Sequence, residues 1–177
     1  MLEPQERKRF EDCVLPHFDA AFNLARWLLR DKLNAEDVTQ EAMLRAYRFF
    51  GNFRAGDARA WLLQIVRNCC YTWLQKNRPG EDLSQLDEDS MPSELPSPEA
   101  LAMASKDRER VTRALESLPA LFREILVLRE LEGCSYREIS AITSRPIGTV
   151  MSALARGRQK LREALSDQSP KEVRRAL

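Results

Sequence analysis

The chain is short of the residues on which most metal and catalytic sites depend. It has one histidine, His17, and four cysteines, Cys13, Cys69, Cys70 and Cys134, among 177 residues. No two cysteines are spaced as CxxC, and adjacent Cys69 and Cys70 cannot easily share one metal. A site built on His17 and Cys13 needs partners from elsewhere. The thiols therefore read as ordinary buried side chains of a reducing cytosol, and no metal or cofactor is expected. Glycine is also scarce, at six residues. There is no Gly-rich phosphate loop, no Ser or Cys elbow, and no nucleophile partner for His17, so an enzyme is not expected. Few apolar runs alternate, which leaves little room for sheet. No apolar stretch approaches the roughly 20 residues that span a bilayer. The opening MLEPQERKRFED is too charged for a secretory signal. Together these lead to the expectation of a cytoplasmic chain with no direct membrane insertion.

What the chain does have is charge, arranged in blocks. Its formal net charge is only +1. Residues 1–78 carry +3 and residues 106–177 carry +5, while residues 79–105 carry −7 and contain no lysine or arginine. Two mildly basic modules are thus joined by an acidic strap, and for nucleic-acid binding this distribution matters more than the total. Pro79-Gly80 opens the strap, and Pro92, Pro96 and Pro98 follow among serines and acidic residues. Such a segment buries too little apolar surface to fold alone and reads as a flexible linker.

The densest signal lies between Ser135 and Arg162. Ser135 with Glu138 forms a capping box, in which a hydroxyl and a carboxylate satisfy donors at a helix start. Ile139 and Ile142 give that helix an apolar stripe, and Thr143-Ser144-Arg145-Pro146 breaks it. A second helix restarts near Pro146, with Val150, Leu154, Leu161 and Leu165 on one side and Thr149, Ser152, Arg156 and Lys160 on the other. From Ile139 to Arg162 there are five basic residues and no acidic one. This is the pattern of a helix-turn-helix, spanning 135–160, that lays its second helix in a DNA major groove.

The remaining segments also read as helices. Phe10, Val14, Phe18, Phe22, Ala25 and Leu28 mark one buried face, with Pro16 starting or kinking a helix. Asn34 is a candidate cap for a helix over Ala35 to Phe50, with Val38, Ala42, Ala46 and Phe50 inside. Its outer face is Glu36, Asp37, Gln40, Glu41, Arg45 and Arg48. Asp57 caps a third long helix, from Ala58 to about Asn77. Trp61, Ile65, Cys69 and Trp73 form its expected core side, with Gln64, Arg67, Asn68 and Tyr71 opposite. Trp61 and Trp73 read as core rather than as stacking platforms. Val111, Leu115 and Leu118 give another helix that Pro119 ends; Leu121, Ile125 and Leu128 give one more, stopped at Gly133. The expected class is all-α, with modules at 1–78 and 106–168, a linker at 79–105 and a polar tail at 169–177.

In this order, the segments AEDVTQEAMLRAYRFFGNF, RAWLLQIVRN, LESLPALFREILVLRELEGCSYREIS and PIGTVMSALARGRQKLREAL resemble the bacterial RNA polymerase sigma factors of the extracytoplasmic-function (ECF) group, in the sigma-70 family. The resemblance covers nearly the whole chain. It implies that the partners are core RNA polymerase (its clamp helices and flap), promoter DNA and an anti-sigma factor. It assigns Asp37, Gln40 and Glu41 to the polymerase clamp; on residues alone a solvated helix face is the favoured reading, as for most charge runs. It assigns Arg54, Arg67, Asn68 and Tyr71 to the −10 element, with Asn68 the candidate reader of an extruded base and the loop Phe53–Arg59 helping to hold it. It assigns Arg145, Thr149, Ser152, Arg156 and Lys160 to the −35 element. The chain departs from the family's frequent Lys-Ser-Arg after Thr-Val, having Met151-Ser152-Ala153, and Ser144 stands where a turn glycine is usual. Two basic contacts are therefore expected to be missing, which would flatten the salt dependence of DNA binding by roughly two units of slope. Two other readings compete. An ordinary helix-turn-helix activator would not need the clamp-like DVTQE segment, and a cysteine-based redox sensor or metalloprotein rests only on the four thiols.

Overall fold

The computed structural model describes residues 3–54, 56–79 and 105–167, and every regular element among them is helical. The linker expected at 79–105 lies outside these residues except at its ends, as does the tail expected at 169–177.

The first module is built from α1 (Pro4–Cys13), α2 (Phe18–Leu29), α3 (Lys32–Phe49) and α4 (Ala58–Asn77). Pro16 sits in a 3-10 turn, Leu15–His17, which separates α1 from α2. A proline is tolerated there because the first turn of a helix has no use for its missing N–H. The break turns the apolar face, so Phe10 and Val14 are buried while Phe18 is exposed, contrary to the single continuous face expected. Arg30 ends α2 in the left-handed conformation at φ 56°. Helix α3 begins three residues earlier than expected. Its cap is Asp31, whose carboxylate accepts from the Asn34 amide at 2.8 Å, so Asn34 is a capped residue rather than the cap. The inner face is as read: Val38, Ala42, Ala46 and Phe50 are buried.

Helix α4 has the expected bounds and the expected Asp57 cap, which accepts from the Arg59 and Ala60 amides. Its core side is rotated from the one expected. Leu62, Leu63, Val66, Cys70 and Leu74 are the buried stripe, with Cys69 beside them, whereas Trp61, Ile65 and Trp73 are half-buried at its margin. Trp61 closes the end of the core by packing on Phe53, with ring centroids 5.0 Å apart.

The second module contains α5 (Ser105–Ser117), α6 (Ala120–Leu126), α7 (Tyr136–Thr143) and α8 (Ile147–Asp167). A π-helical turn, Val127–Leu131, continues α6, and Gly133 follows at φ 65°. The helix-turn-helix is formed by α7 and α8. Ser135 and Glu138 make the reciprocal capping box, and Ser144 ends α7 in the left-handed region at φ 54°. Gly157 lets α8 lie close against α6: a Cβ there would stand 3.3 Å from two Leu126 carbons.

One element decides how the modules meet. Every residue from Ala120 to Leu128 is buried, including Arg123 and Glu124. A surface helix with one apolar stripe does not bury all its faces. Here α8 covers one side of α6 and the first module, through α2, covers another, while α7 packs against α4. The two modules therefore dock face to face.

Candidate nucleic-acid interface

At the seam, the carboxylate of Glu124 is fully buried and stands at the centre of a polar cluster. Arg67 on α4 donates through Nε to Glu124 Oε1 at 2.5 Å and lies over the Tyr71 ring at 4.3 Å. The Tyr71 hydroxyl donates to Glu124 Oε2 at 2.8 Å. Burial pushes the Glu124 carboxyl above its ordinary range, while Arg67, the Tyr71 hydroxyl and the charge of Arg145 pull it back. Burial likewise pushes the Tyr71 phenol up, with Glu124 adding to the effect. For Arg67, burial opposes the charge but Glu124 and Tyr71 outweigh it, and the guanidinium is held more firmly protonated than usual. A buried charge of this kind is tolerated only when paired and hydrogen-bonded.

Further contacts line the seam. Arg59 donates to the backbone oxygen of Glu132 and forms an ion pair with its carboxylate at 3.2 Å. Gln64 reaches Ser144 Oγ at 3.5 Å, Arg30 reaches the Glu116 carbonyl at 3.2 Å, and Arg123 reaches the Leu28 carbonyl at 3.5 Å. Asp57 sits beside Glu138. Burial works against the Asp57 carboxylate, yet the Ala60 amide, the Glu138 side chain, the Arg59 amide and the Arg59 charge together hold it below its ordinary range.

The residues expected to read a −10 element are thus divided. Asn68 and Arg54 are exposed, while Arg67 and Tyr71 are turned into the seam. Of the −35 set, Arg145 is half-buried, and its charge acts on both Tyr71 and Glu124, so it belongs electrostatically to the same cluster. Thr149, Ser152 and Arg156 are half-buried and Lys160 is exposed, its ammonium 5.7 Å from the Phe122 ring centroid. Thr149, Arg156 and Lys160 form one edge of α8, with Ser152 closer to the side opposite its core. The core side is Val150, Ala153, Leu154 and Gly157, so at 100° per residue the far side falls on Gly148, Ser152, Ala155 and Gln159, with Met151 on the flank across from Arg156. This corrects one expectation. Ala153 is fully buried, so an arginine at that position would start from the core rather than the surface. Only Met151 marks a missing basic contact, which halves the expected change in salt dependence to about one unit.

Asp37, Gln40 and Glu41 are all exposed on α3, with Glu41 in an i, i+4 ion pair to Arg45 at 2.7 Å. The cysteines Cys69, Cys70 and Cys134 are buried and free. Burial pushes the Cys134 thiol up to about 11, and the Cys69 and Cys70 thiols also lie above their usual range, which works against thiolate chemistry. Among the described residues no three His, Cys, Asp or Glu side chains cluster as metal ligands, and no helix is long and apolar enough to cross a membrane.

Glu124 was missed by sequence reasoning, although a signal for it exists. Leu121, Glu124, Ile125 and Leu128 fall at i, i+3, i+4 and i+7, so the glutamate lies inside the apolar stripe of its own helix. Arg67 likewise lies four residues after Leu63 and three before Cys70. Two opposite charges set in two apolar stripes are what a buried pair requires.

Comparison with known proteins matches both modules in the same order. Residues 13–79 match the family model of sigma-70 region 2, and residues 108–161 match that of sigma-70 region 4. The chain is 35% identical over 161 residues to the ECF RNA polymerase sigma factor SigE of Mycolicibacterium smegmatis, covering 90% of this chain but only 63% of that longer protein. It is 32% identical over 169 residues to the RNA polymerase sigma-H factor of Pseudomonas aeruginosa, covering 90% of this chain and 88% of that one. Among solved structures it is similar to the sigma factor RpoE from Bartonella quintana, in complex with the anti-sigma factor NepR. The TM-score is 0.70 with 28% identity, over 92% of this chain and 99% of that one. With both regions present in order and a relative matched over most of its length, the chain belongs to the ECF RNA polymerase sigma factors of the sigma-70 family.

Proposed function

We propose that this chain binds core RNA polymerase in the cytoplasm and directs it to promoters with separate −35 and −10 elements, helping to open the duplex at the second. It would perform no chemistry itself. Residues 1–78 hold the polymerase and the −10 element; residues 106–168 hold the −35 element. Asp37, Gln40 and Glu41 present two carboxylates and an amide from adjacent turns of α3, suited to basic side chains on a partner's helices. Asn68 is free on the surface of α4 to hydrogen-bond an extruded base, with Arg54 in the preceding loop. Arg145, Thr149, Ser152, Arg156 and Lys160 follow one edge of the second module toward the groove and its phosphates.

The observation that carries the reading is the union in one chain of a capped helix-turn-helix and the α4 helix bearing Arg67, Asn68 and Tyr71. Two DNA-reading surfaces with one polymerase-facing helix make little sense in a regulator that binds a single operator. The docked state adds a condition. Arg67 and Tyr71 cannot engage Glu124 and a DNA strand together, so the modules must part before both elements are read. An anti-sigma factor that favours the docked state would silence the chain, and the structural relative solved with such a partner supports this part of the reading.

Run-off transcription on genomic DNA with purified core polymerase and no other sigma factor tests the proposal. Discrete start sites, lost with Asn68→Ala and with the paired change Asp37→Lys and Glu41→Lys, are expected. An activator that is not a polymerase subunit would give no start sites under these conditions.

A further inference from the structure

The recognition helix faces outward with an apolar surface. Met151 is 53% exposed, and Ile147, one turn before it on the same side, is 41% exposed. Beside them Gly148 is exposed with nothing within 4 Å of where a Cβ would stand, which lets the backbone come close to a ligand. These residues occupy the first turns of α8, the part of a recognition helix that reaches base edges. The basic side chains Arg156 and Lys160 stand later in the helix and on the opposite flank of its outer face, where phosphates would lie. A large exposed apolar side chain at the leading end of such a helix needs an apolar partner. In the major groove the one apolar group a base pair offers is the C5-methyl of thymine.

We propose that Met151, supported by Ile147, reads the C5-methyl group of thymine in the −35 element, so that this chain selects −35 sequences by methyl contact where a basic residue would select guanine. The inference rests on the reading of α8 as the −35 helix. DNA is favoured over a protein as the occupant because Ile139 to Arg162 carries five basic residues and no acidic one around this patch, which complements a phosphate-lined groove. Met151 remains exposed with the two modules docked, so the contact is available without rearranging α8.

The test uses holoenzyme and the −35 elements found from mapped start sites. Each −35 thymine is replaced in turn by uracil, which removes the methyl group and nothing else. With the wild-type chain, one or two positions should lose about fourfold in affinity, the worth of one buried methyl. With Met151→Ala the same replacements should change affinity by less than twofold, and Ile147→Ala should give an intermediate loss of sensitivity. Both side chains are on the surface, so circular dichroism should find the variants folded. Indifference of the wild type to uracil at every position overturns the proposal. So does equal uracil sensitivity in wild type and Met151→Ala. A Met151→Ala chain that escapes an inhibitory protein while keeping full uracil sensitivity would assign the patch to that protein instead. Absence of any start site would remove the sigma reading itself, and the proposal with it; methyl-insensitive start sites would remove only the proposal.

Discussion

Ser144 and Glu124 show how single residues set the behaviour of this chain. Ser144 holds φ 54° at the end of α7, a conformation that costs a residue with a Cβ about 1 kcal/mol and costs glycine almost nothing. Ser144→Gly should therefore stabilise the helix-turn-helix by about 1 kcal/mol, less the small worth of the 3.5 Å contact from Gln64, and thermal unfolding would register it. An unchanged or lower midpoint would mean that the Gln64 contact outweighs the strain. Glu124 gives a pH dependence whose sign follows from its burial. Its docked pKa lies above the ordinary 4.5, so the docked state binds more protons than the open one. That contribution to docking is fully present below pH 4.5 and is lost as pH rises through the raised value. Small-angle scattering across a pH series, comparing wild type with Glu124→Gln, should find the Glu124 contribution to docking largest at the acid end. Asp57, held below its ordinary range, contributes with the opposite sign. Glu124→Gln should remove only the Glu124 part of the pH response.

Among the elements, α4, α7 and α8 were legible because their starts are chemically marked. Asp57 and the Ser135–Glu138 box can satisfy orphan amides only from the positions they hold. Helix α3 was misplaced by three residues because Asp31 and Asn34 are both good caps, and composition alone does not choose between them. The rotated face of α4 has a different cause. Trp61 and Trp73 carry the most apolar area, yet a bulky ring sits more easily at the margin of a four-helix core than at its centre, where Leu62, Leu63, Val66 and Leu74 fit. For α6 the period could reveal one stripe but not that a second surface would cover the rest. The close approach of α8 to α6 at Gly157 gives a test of that packing. Gly157→Val would force branched carbons against Leu126 and Phe122 and should cost about 1–3 kcal/mol, measured by chemical denaturation. A loss below about 0.5 kcal/mol would mean the helices can separate without penalty.

For the whole molecule, the charge blocks and the two-module order were readable, whereas the docking of one module on the other was not. Docking depends on contacts between residues more than fifty positions apart, Arg67 with Glu124 and Arg59 with Glu132, and no local period encodes such a pair. Its only trace is a charge standing inside an apolar stripe. Glu124→Ala strands Arg67 and Tyr71 in the seam. Removing one member of a buried pair costs about 3–5 kcal/mol, and parting the modules relieves it. The variant should therefore have a larger radius of gyration than the wild type and bind core polymerase more tightly, since the competent form is no longer a minor one. Equal radii with equal affinities would show that the seam does not restrain the chain.

The covalent connection between the two faces of that seam has a consequence of its own. Because both faces belong to one polypeptide, their re-docking is a first-order event that dilution does not weaken. A competitor for the Glu124 cluster meets an effective concentration on the order of millimolar, set by the tether rather than by the amount of protein. Lowering the cellular level of this chain would leave each copy as closed as before. Opening is favoured most by a partner that binds both parted modules at once.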